Sequence, residues 1–365
     1  MDDLVKLAVV GVGLVGKRHA NAIKRLRGVK LIGLVEPSAK KLPIEQEFNV
    51  PCFDNVDALL NGTKVDGVII ATPTPSHIEL GRAVVNAGIP VLIEKPLANS
   101  SLEALELVNL ADANHVSLLV GHHRRHNPLI QKAHELISNG EIGEVRAVHA
   151  NCWFYKPDHY FDEAPWRKLH GAGPISVNLV HDIDLIRYLC GEIVSVQAQS
   201  SPSRRGFENE DVASVLLSFD NGAVGTVTVS DSIVAPWSWE HTSGEYPIYP
   251  RTNESCYKFG GSHGSLSVPD LTIWKHGNAR DWWTPITATS IPRDASDPLD
   301  NQIIHFANVI KGVEEPLVTG LEGLKTLQVV EAISTAAQSN SSININDISP
   351  LNSHMSDDEQ MATAI

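Results

Sequence analysis

The stretch AVVGVGLVGKRHANAI, residues 8 to 23, runs from an apolar segment rich in valine into three glycines and then a basic helix start. Gly11, Gly13 and Gly16 fit the spacing GxGxxG. Spacing alone is a weak signal, but here a strand-like run precedes it and a helical pattern follows it. In that context each glycine has a task. Gly11 permits the tight turn, Gly13 lets a pyrophosphate approach the backbone, and Gly16 allows helix and strand to pack closely. The helix opening at Leu14 and Val15 offers unbonded N–H groups and its positive dipole end to phosphates. Glu36 stands twenty residues beyond Gly16, at the end of the next apolar run. A carboxylate there accepts both ribose hydroxyls and repels a 2′-phosphate, so the expected cofactor is NAD, with NADP less favoured. Lys40 and Lys41 soften that preference, because a lysine on the next helix reaches a phosphate. The competing reading is a strand-to-helix turn with no ligand.

Up to about residue 120 the chain alternates short apolar runs (KLAVVGV, VKLIGLVE, DGVIIAT, PVLIEK, SLLVGHH) with amphipathic segments such as PSHIELGRAVVNAGI. Apolar strands separated by helices predict a parallel sheet covered on both faces, and right-handed crossovers make it a doubly wound α/β domain. After residue 140 longer strands follow one another, including EVRAVHANCWFY and VASVLLSFDNGAVGTVTVSD, the latter folded at Asn221-Gly222. These predict an α+β domain with an open, mostly antiparallel sheet, interrupted by one helix, PISVNLVHDIDLIRYLCG. The expected organisation is residues 1–122, residues 123–346 and a polar tail, 347–365.

Composition excludes several classes. A net charge of -14 argues against nucleic acid, which needs a basic surface. No apolar run reaches membrane-spanning length, and MDDLVK opens with acids rather than a basic leader. Cys52, Cys152, Cys190 and Cys256 are scattered with no CxxC, which reads as free thiols in the cytoplasm. The expected partner is therefore a small molecule.

A second set of motifs identifies the relatives. VLIEKPLANS ends a strand with Glu94-Lys95-Pro96, and ATPTPSH ends the preceding one. With the glycine turn, and with GHHRRHNP, WRKLHGAGP, HDIDLIRYL and HFANVIKG following in order, the chain resembles the glucose-fructose oxidoreductase / inositol dehydrogenase (Gfo/Idh/MocA) family over nearly its whole length. The resemblance implies an N-terminal Rossmann domain for the nicotinamide cofactor and a C-terminal domain for substrate and oligomer contacts. It puts Glu94 and Lys95 beside the nicotinamide, implies a cis Lys95-Pro96 bond, and lines the cofactor crevice with Thr72, Pro73, His77 and Arg125. His181 matches the family's catalytic histidine.

Oxidising a secondary alcohol removes a hydride from carbon and a proton from oxygen, and a histidine suits the proton. A lysine ammonium stabilises the developing alkoxide, which fits Lys95. One position departs from the family: where an aspartate commonly stands four residues before the histidine, this chain has Val177. Asn178, three residues before His181, shares its face and is the candidate to orient the ring. Asp184 matches a family acidic position; Asp182 points elsewhere. His122 and Arg124, with Trp153, Tyr155, Lys156, Trp166, Arg167 and Asn178, make up the expected substrate site. Aromatic faces interleaved with polar groups suit a sugar ring. Three histidines in GHHRRHNP suggest a metal, but the adjacent arginines repel a cation and no carboxylate or thiol lies at ligand spacing, so no metal is expected. The leading function is an NAD-dependent oxidoreductase of a sugar, cyclitol or sugar-acid alcohol. The alternatives are a glycosidase or lyase of the same family that oxidises transiently, and a non-catalytic regulator sensing dinucleotide or sugar. An open sheet face implies a homodimer or homotetramer.

Overall fold

Short runs of valine, isoleucine and leucine become strands buried on both faces, because branched side chains fit the pleat and leave no polar face for water. The computed structural model describes residues 4–37, 41–277 and 279–348. Six such runs form the first sheet: β1 (Val5–Val10), β2 (Val29–Val35), β3 (Cys52–Phe53), β4 (Gly67–Ile70), β5 (Val91–Ile93) and β6 (Leu118–Val120). All pair in parallel, in the order β3-β2-β1-β4-β5-β6. The chain reverses direction across the sheet between β1 and β4, and ligands of such sheets bind beyond the strand ends at that point.

The second sheet takes β7 (Val145–Trp153), β8 (Ile193–Pro202), β9 (Glu210–Phe219), β10 (Val224–Ser230), β11 (Tyr257–Gly261), β12 (Gly264–Val268), β13 (Thr272–His276), β14 (Ile286–Ser290) and β15 (Ile343–Asn344). Its order is β14-β13-β12-β11-β7-β10-β9-β8-β15, antiparallel throughout except for β7 beside β10. Gly222, at φ 83°, closes the β9–β10 hairpin as Asn-Gly predicts. Alternation is plain along β9: Ala213, Val215, Leu217 and Phe219 are buried, while Ser214 and Leu216 face out. The buried face packs on the helices Pro128–Ser138 and Val180–Cys190 and on the later turns of Gly320–Ser339.

The chain divides into two compact units. One joins the chain up to His126 with Ser296–Leu327, and the other takes Asn127–Ala295 and the chain from Gln328 onward. The segment Ser296–Leu327, grouped by sequence with residues 123–346, thus packs with the parallel sheet. Its helix, Pro298–Ile310, puts Leu299, Ile303 and Phe306 into the core that holds Val5, Leu7 and Val9. Gly67 has no side chain because one would come within 2.5 Å of Ile310 and 3.0 Å of Phe306. Hydrophobic period reveals that this helix has an apolar face, but not which sheet receives it. Lys40 and the tail from residue 349 lie outside the described residues. Among the described residues no helix is long and apolar enough to cross a membrane.

Candidate active site

The glycine turn leaves β1 and enters the helix Leu14–Arg25. Gly11 sits at φ 84°, where a side chain is strained. A Cβ there would also lie 2.6 Å from the Thr72 methyl. At Gly16 a Cβ would stand 1.8 Å from the Gly11 carbonyl oxygen. At Gly13 it would meet nothing within 4 Å: the space above that backbone is open. One glycine is thus required by packing and another leaves room for a ligand, the pair of demands a pyrophosphate cradle makes. No side chain caps the helix, and its first turn carries no acid, so its N–H groups face outward uncompensated. Leu14 and Val15 expose their side chains there. Glu36, past the end of β2, turns its carboxylate onto this loop and accepts the Val12 N–H at 3.1 Å. The residues present fit NAD. Lys41 is drawn away to Asp54, at 2.9 Å.

Beyond β4, Thr72 and Pro73 open a short turn in which Ser76 Oγ donates to Thr72 Oγ1 at 2.8 Å. His77 is buried, with Nδ1 against the Pro96 carbonyl and Nε2 against that of Thr72, both at 2.9 Å. With both nitrogens engaged, His77 ties the β4 loop to the β5 loop. The Lys95-Pro96 bond is cis. Glu94 is buried and bonded at 2.8 Å to His19, which is itself fully buried on the glycine-turn helix. Burial alone raises a carboxyl's pKa, but the His19 bond and the charges of His19, His123 and Lys95 hold Glu94 down to about 2. Further along, His122, Arg124 and Arg125 are all buried. Arg125 pairs through one terminal nitrogen with Glu322 at 3.0 Å, which ties the returning segment to the end of β6.

In the second unit, His181 is half-buried in the first turn of Val180–Cys190. The preceding residues, Ile175–Leu179, form one turn of π-helix, a form seen most often at functional sites. The sequence reads as a single α-helix here. At its start, Glu210 accepts the Ile175 N–H at 2.9 Å and fills the space beside Gly173. Lys156, only 5% exposed, donates from Nζ to Asn178 Oδ1 at 2.6 Å. That bond occupies the Asn178 side-chain oxygen. Asp231 lies 3.8 Å from the Lys156 ammonium and bonds Arg205 at 3.0 Å. Burial lowers the Lys156 pKa and raises that of Asp231, in each case against the attraction of the other. Two cations approach the Tyr160 ring, Arg167 at 3.9 Å from its centroid and Lys156 at 5.1 Å. Trp153 packs edge-on against Trp237, and its indole N–H is buried without a hydrogen-bond partner among the described residues. Tyr155 and Trp166 are exposed, as a rim would be. No group of three or more possible metal ligands clusters among the described residues.

Residues 5–122 match the family model described as oxidoreductase family, NAD-binding Rossmann fold, and residues 130–267 match the GFO/IDH/MocA C-terminal domain. UDP-N-acetylglucosamine 3-dehydrogenase of Acidithiobacillus ferrooxidans is 30% identical over 64% of this chain and 69% of its own. The chain belongs to the Gfo/Idh/MocA oxidoreductase family. A second relative, the scyllo-inositol 2-dehydrogenase (NAD(+)) of Bacillus subtilis, is 27% identical over 90% of this chain and 93% of its own. The fold is that of an Agrobacterium radiobacter oxidoreductase crystallised with NAD+, L-tartaric acid and magnesium (TM-score 0.80, 21% identity, 94% of this chain and 99% of that one).

Family motifs did not lead to every partner in the site. His19 stands in the opening stretch, yet its partner Glu94 is 75 residues away. Arg205, which bonds the Lys156 carbonyl and Asp231, sits in a polar loop with no pattern of its own. A buried lysine after a long strand is the one signal that points to such partners, because its charge must be answered.

Proposed function

We propose that this Gfo/Idh/MocA oxidoreductase oxidises a secondary alcohol of a sugar, cyclitol or sugar acid with NAD. The observation that carries the reading is the Glu36 carboxylate turned onto an open glycine cradle, in a chain whose relatives named above are dehydrogenases of a nucleotide sugar and an inositol. Gly11, Gly13, Gly16 and the N–H groups at Leu14 and Val15 hold the pyrophosphate, and Glu36 holds the ribose. Thr72, Pro73 and Glu94 flank the crevice, with His77 and Arg125 bracing it. When bound, NAD supplies a two-electron oxidant. His181 takes the hydroxyl proton, and the Lys95 ammonium steadies negative charge on the oxygen as that proton leaves. Trp153, Tyr155, Trp166 and Arg167, with Lys156 and Asn178 as polar groups, suit a ring with one apolar face; His122 and Arg124, past the end of β6, are the substrate candidates of the first unit. Neither relative named above is a glycosidase, so net oxidation is preferred to a transient one. Exposed Leu216 and Val224 on the outer face of the second sheet support a homodimer or homotetramer, and four buried free thiols suit the cytoplasm.

The test is a panel of sugars, inositols and uronates scored for NADH absorbance, with NADP in parallel. At least one compound is expected to reduce NAD, and Lys95→Ala to slow it by about 100-fold or more. Equal rates with NADP would remove the role of Glu36; no reduction by any compound would remove the substrate class.

A further inference from the structure

The helix that leaves the glycine turn buries Gly16, His19, Ala20 and Ile23, the spacing of one inner face. Among a glycine, an alanine and an isoleucine stands one imidazole, with none of its surface exposed. Its Nδ1 has no hydrogen-bond partner among the described residues, so the ring's hydrogen bonding goes through Nε2, to Glu94 Oε1 at 2.8 Å. An ionised carboxylate only accepts, so Nε2 carries the proton of that bond. The other oxygen, Oε2, accepts the backbone N–H of Lys95 at 3.3 Å. We propose that His19 is a positioning residue for Lys95: through Nε2 it holds the Glu94 carboxylate, and that carboxylate fixes the backbone that carries the Lys95 ammonium. The inference deepens the role proposed above for Lys95 and rests on that reading.

The surroundings leave this carboxylate little other room. A Cβ on Gly121, past the end of β6, would stand 3.0 Å from both Cδ and Oε1 of Glu94, so that position has to be bare for the carboxyl group to turn towards His19. The backbone on either side of Lys95 is also tied: the Glu94 N–H donates to the Ile70 carbonyl at 2.9 Å, and His77 Nδ1 holds the Pro96 carbonyl at 2.9 Å. The Lys95 N–H lies between these two ties, with Glu94 as an acceptor. His123 and Lys95 itself add charges that favour the carboxylate. Without the His19 donor, a buried carboxylate would keep one long bond; burial then favours its protonated form, and the grip on the Lys95 N–H loosens.

The experiment reads the Lys95 amide directly, by NMR hydrogen exchange of the full chain carrying isotope-labelled lysine, without NAD, the signal being assigned with Lys95→Arg. His19→Phe keeps the bulk of the ring and removes the donor, and the Lys95 amide is expected to exchange about tenfold faster. His19→Gln, whose amide nitrogen takes the place of Nε2, is expected to stay within about threefold of the unsubstituted chain. The Lys24 amide, on the same helix as His19, is the control and should not move. Should His19→Phe not fold, His19→Asn, polar but too short to reach Glu94, replaces it with the same expectation. Unchanged exchange at Lys95, or a rise shared equally by Lys24 or by His19→Gln, would overturn the proposal, since packing alone would then account for His19. With the best substrate of the panel, His19→Phe is expected to lower kcat about tenfold while the NAD Kd, by calorimetry, stays within about threefold. Added to Lys95→Ala it should cost less than about twofold more. Losses that multiply would overturn the proposal, because His19 would then act elsewhere than through Lys95. The exchange arm needs neither substrate nor NAD, so its failure strikes this inference, whereas a panel that reduces no NAD strikes the proposed function.

Discussion

The two sheets answer the same problem in opposite ways. The first is parallel and buried on both faces along most of its length, so its strands are largely apolar, with Lys6 and Lys30 exposed in β1 and β2, and are separated by helices. The second hides one face and wets the other along its central strands, so β9 is long and alternates between buried and exposed residues. The contrast teaches where function can be read. In the parallel sheet the proposed ligand-facing residues cluster at strand ends, where a local pattern betrays them. In the alternating sheet they lie in loops and in a distorted helical turn, where only distant partners explain them.

The comparison can be broken at several points. The largest effect is expected at Gly16→Ala, whose Cβ meets backbone oxygen at 1.8 Å: about 3 kcal/mol or more of stability is lost, and NAD affinity with it. Gly13→Ala has open space and should keep its urea midpoint while losing NAD binding, measured by titration calorimetry. Next comes the alternating sheet: Leu217→Ala, on the buried face, should cost about 3 kcal/mol, and Leu216→Ala, its exposed neighbour, under about 0.5. Equal costs at these neighbours would refute the one-sided burial of β9.

A third effect is a pH dependence in the parallel-sheet unit. The Glu94 pKa is depressed to about 2, so its contribution is full above the unfolded value near 4.5 and lost as pH falls towards 2. It amounts to about 3 kcal/mol at most. Unfolding in urea between pH 6 and pH 2.5 reads it, and Glu94→Gln should flatten that part of the curve. The smallest effect is at Gly222→Ala, where no atom is struck and only the positive φ opposes the change: about 1 kcal/mol from the hairpin.

Much of this was legible in the sequence because the decisive contacts are local. GxGxxG, Glu36 and the Asn221-Gly222 turn each act within one strand-loop-strand or strand-loop-helix unit. The remainder was hidden for one physical reason: a side chain's pattern tells that it is buried, but not by whom. That His77 holds two carbonyls, one on each of two loops, could not be read from the sequence. Arg125 has a partner, Glu322, that lies 197 residues away and has no signal in the sequence. The π-helical turn before His181 has no sequence period of its own, and the Lys156–Asn178 bond crosses from a strand's end to that turn.

Phe306 and its neighbours finish the core of the nucleotide unit although they are encoded after the whole of the second sheet but its last short strand. During synthesis, then, the dinucleotide half waits with one flank bare until the ribosome has passed Ile310, in a chain of 365 residues. A gene cut after His126 would yield a sticky fragment, and a self-sufficient cofactor half has to be spliced from two separate pieces of the message.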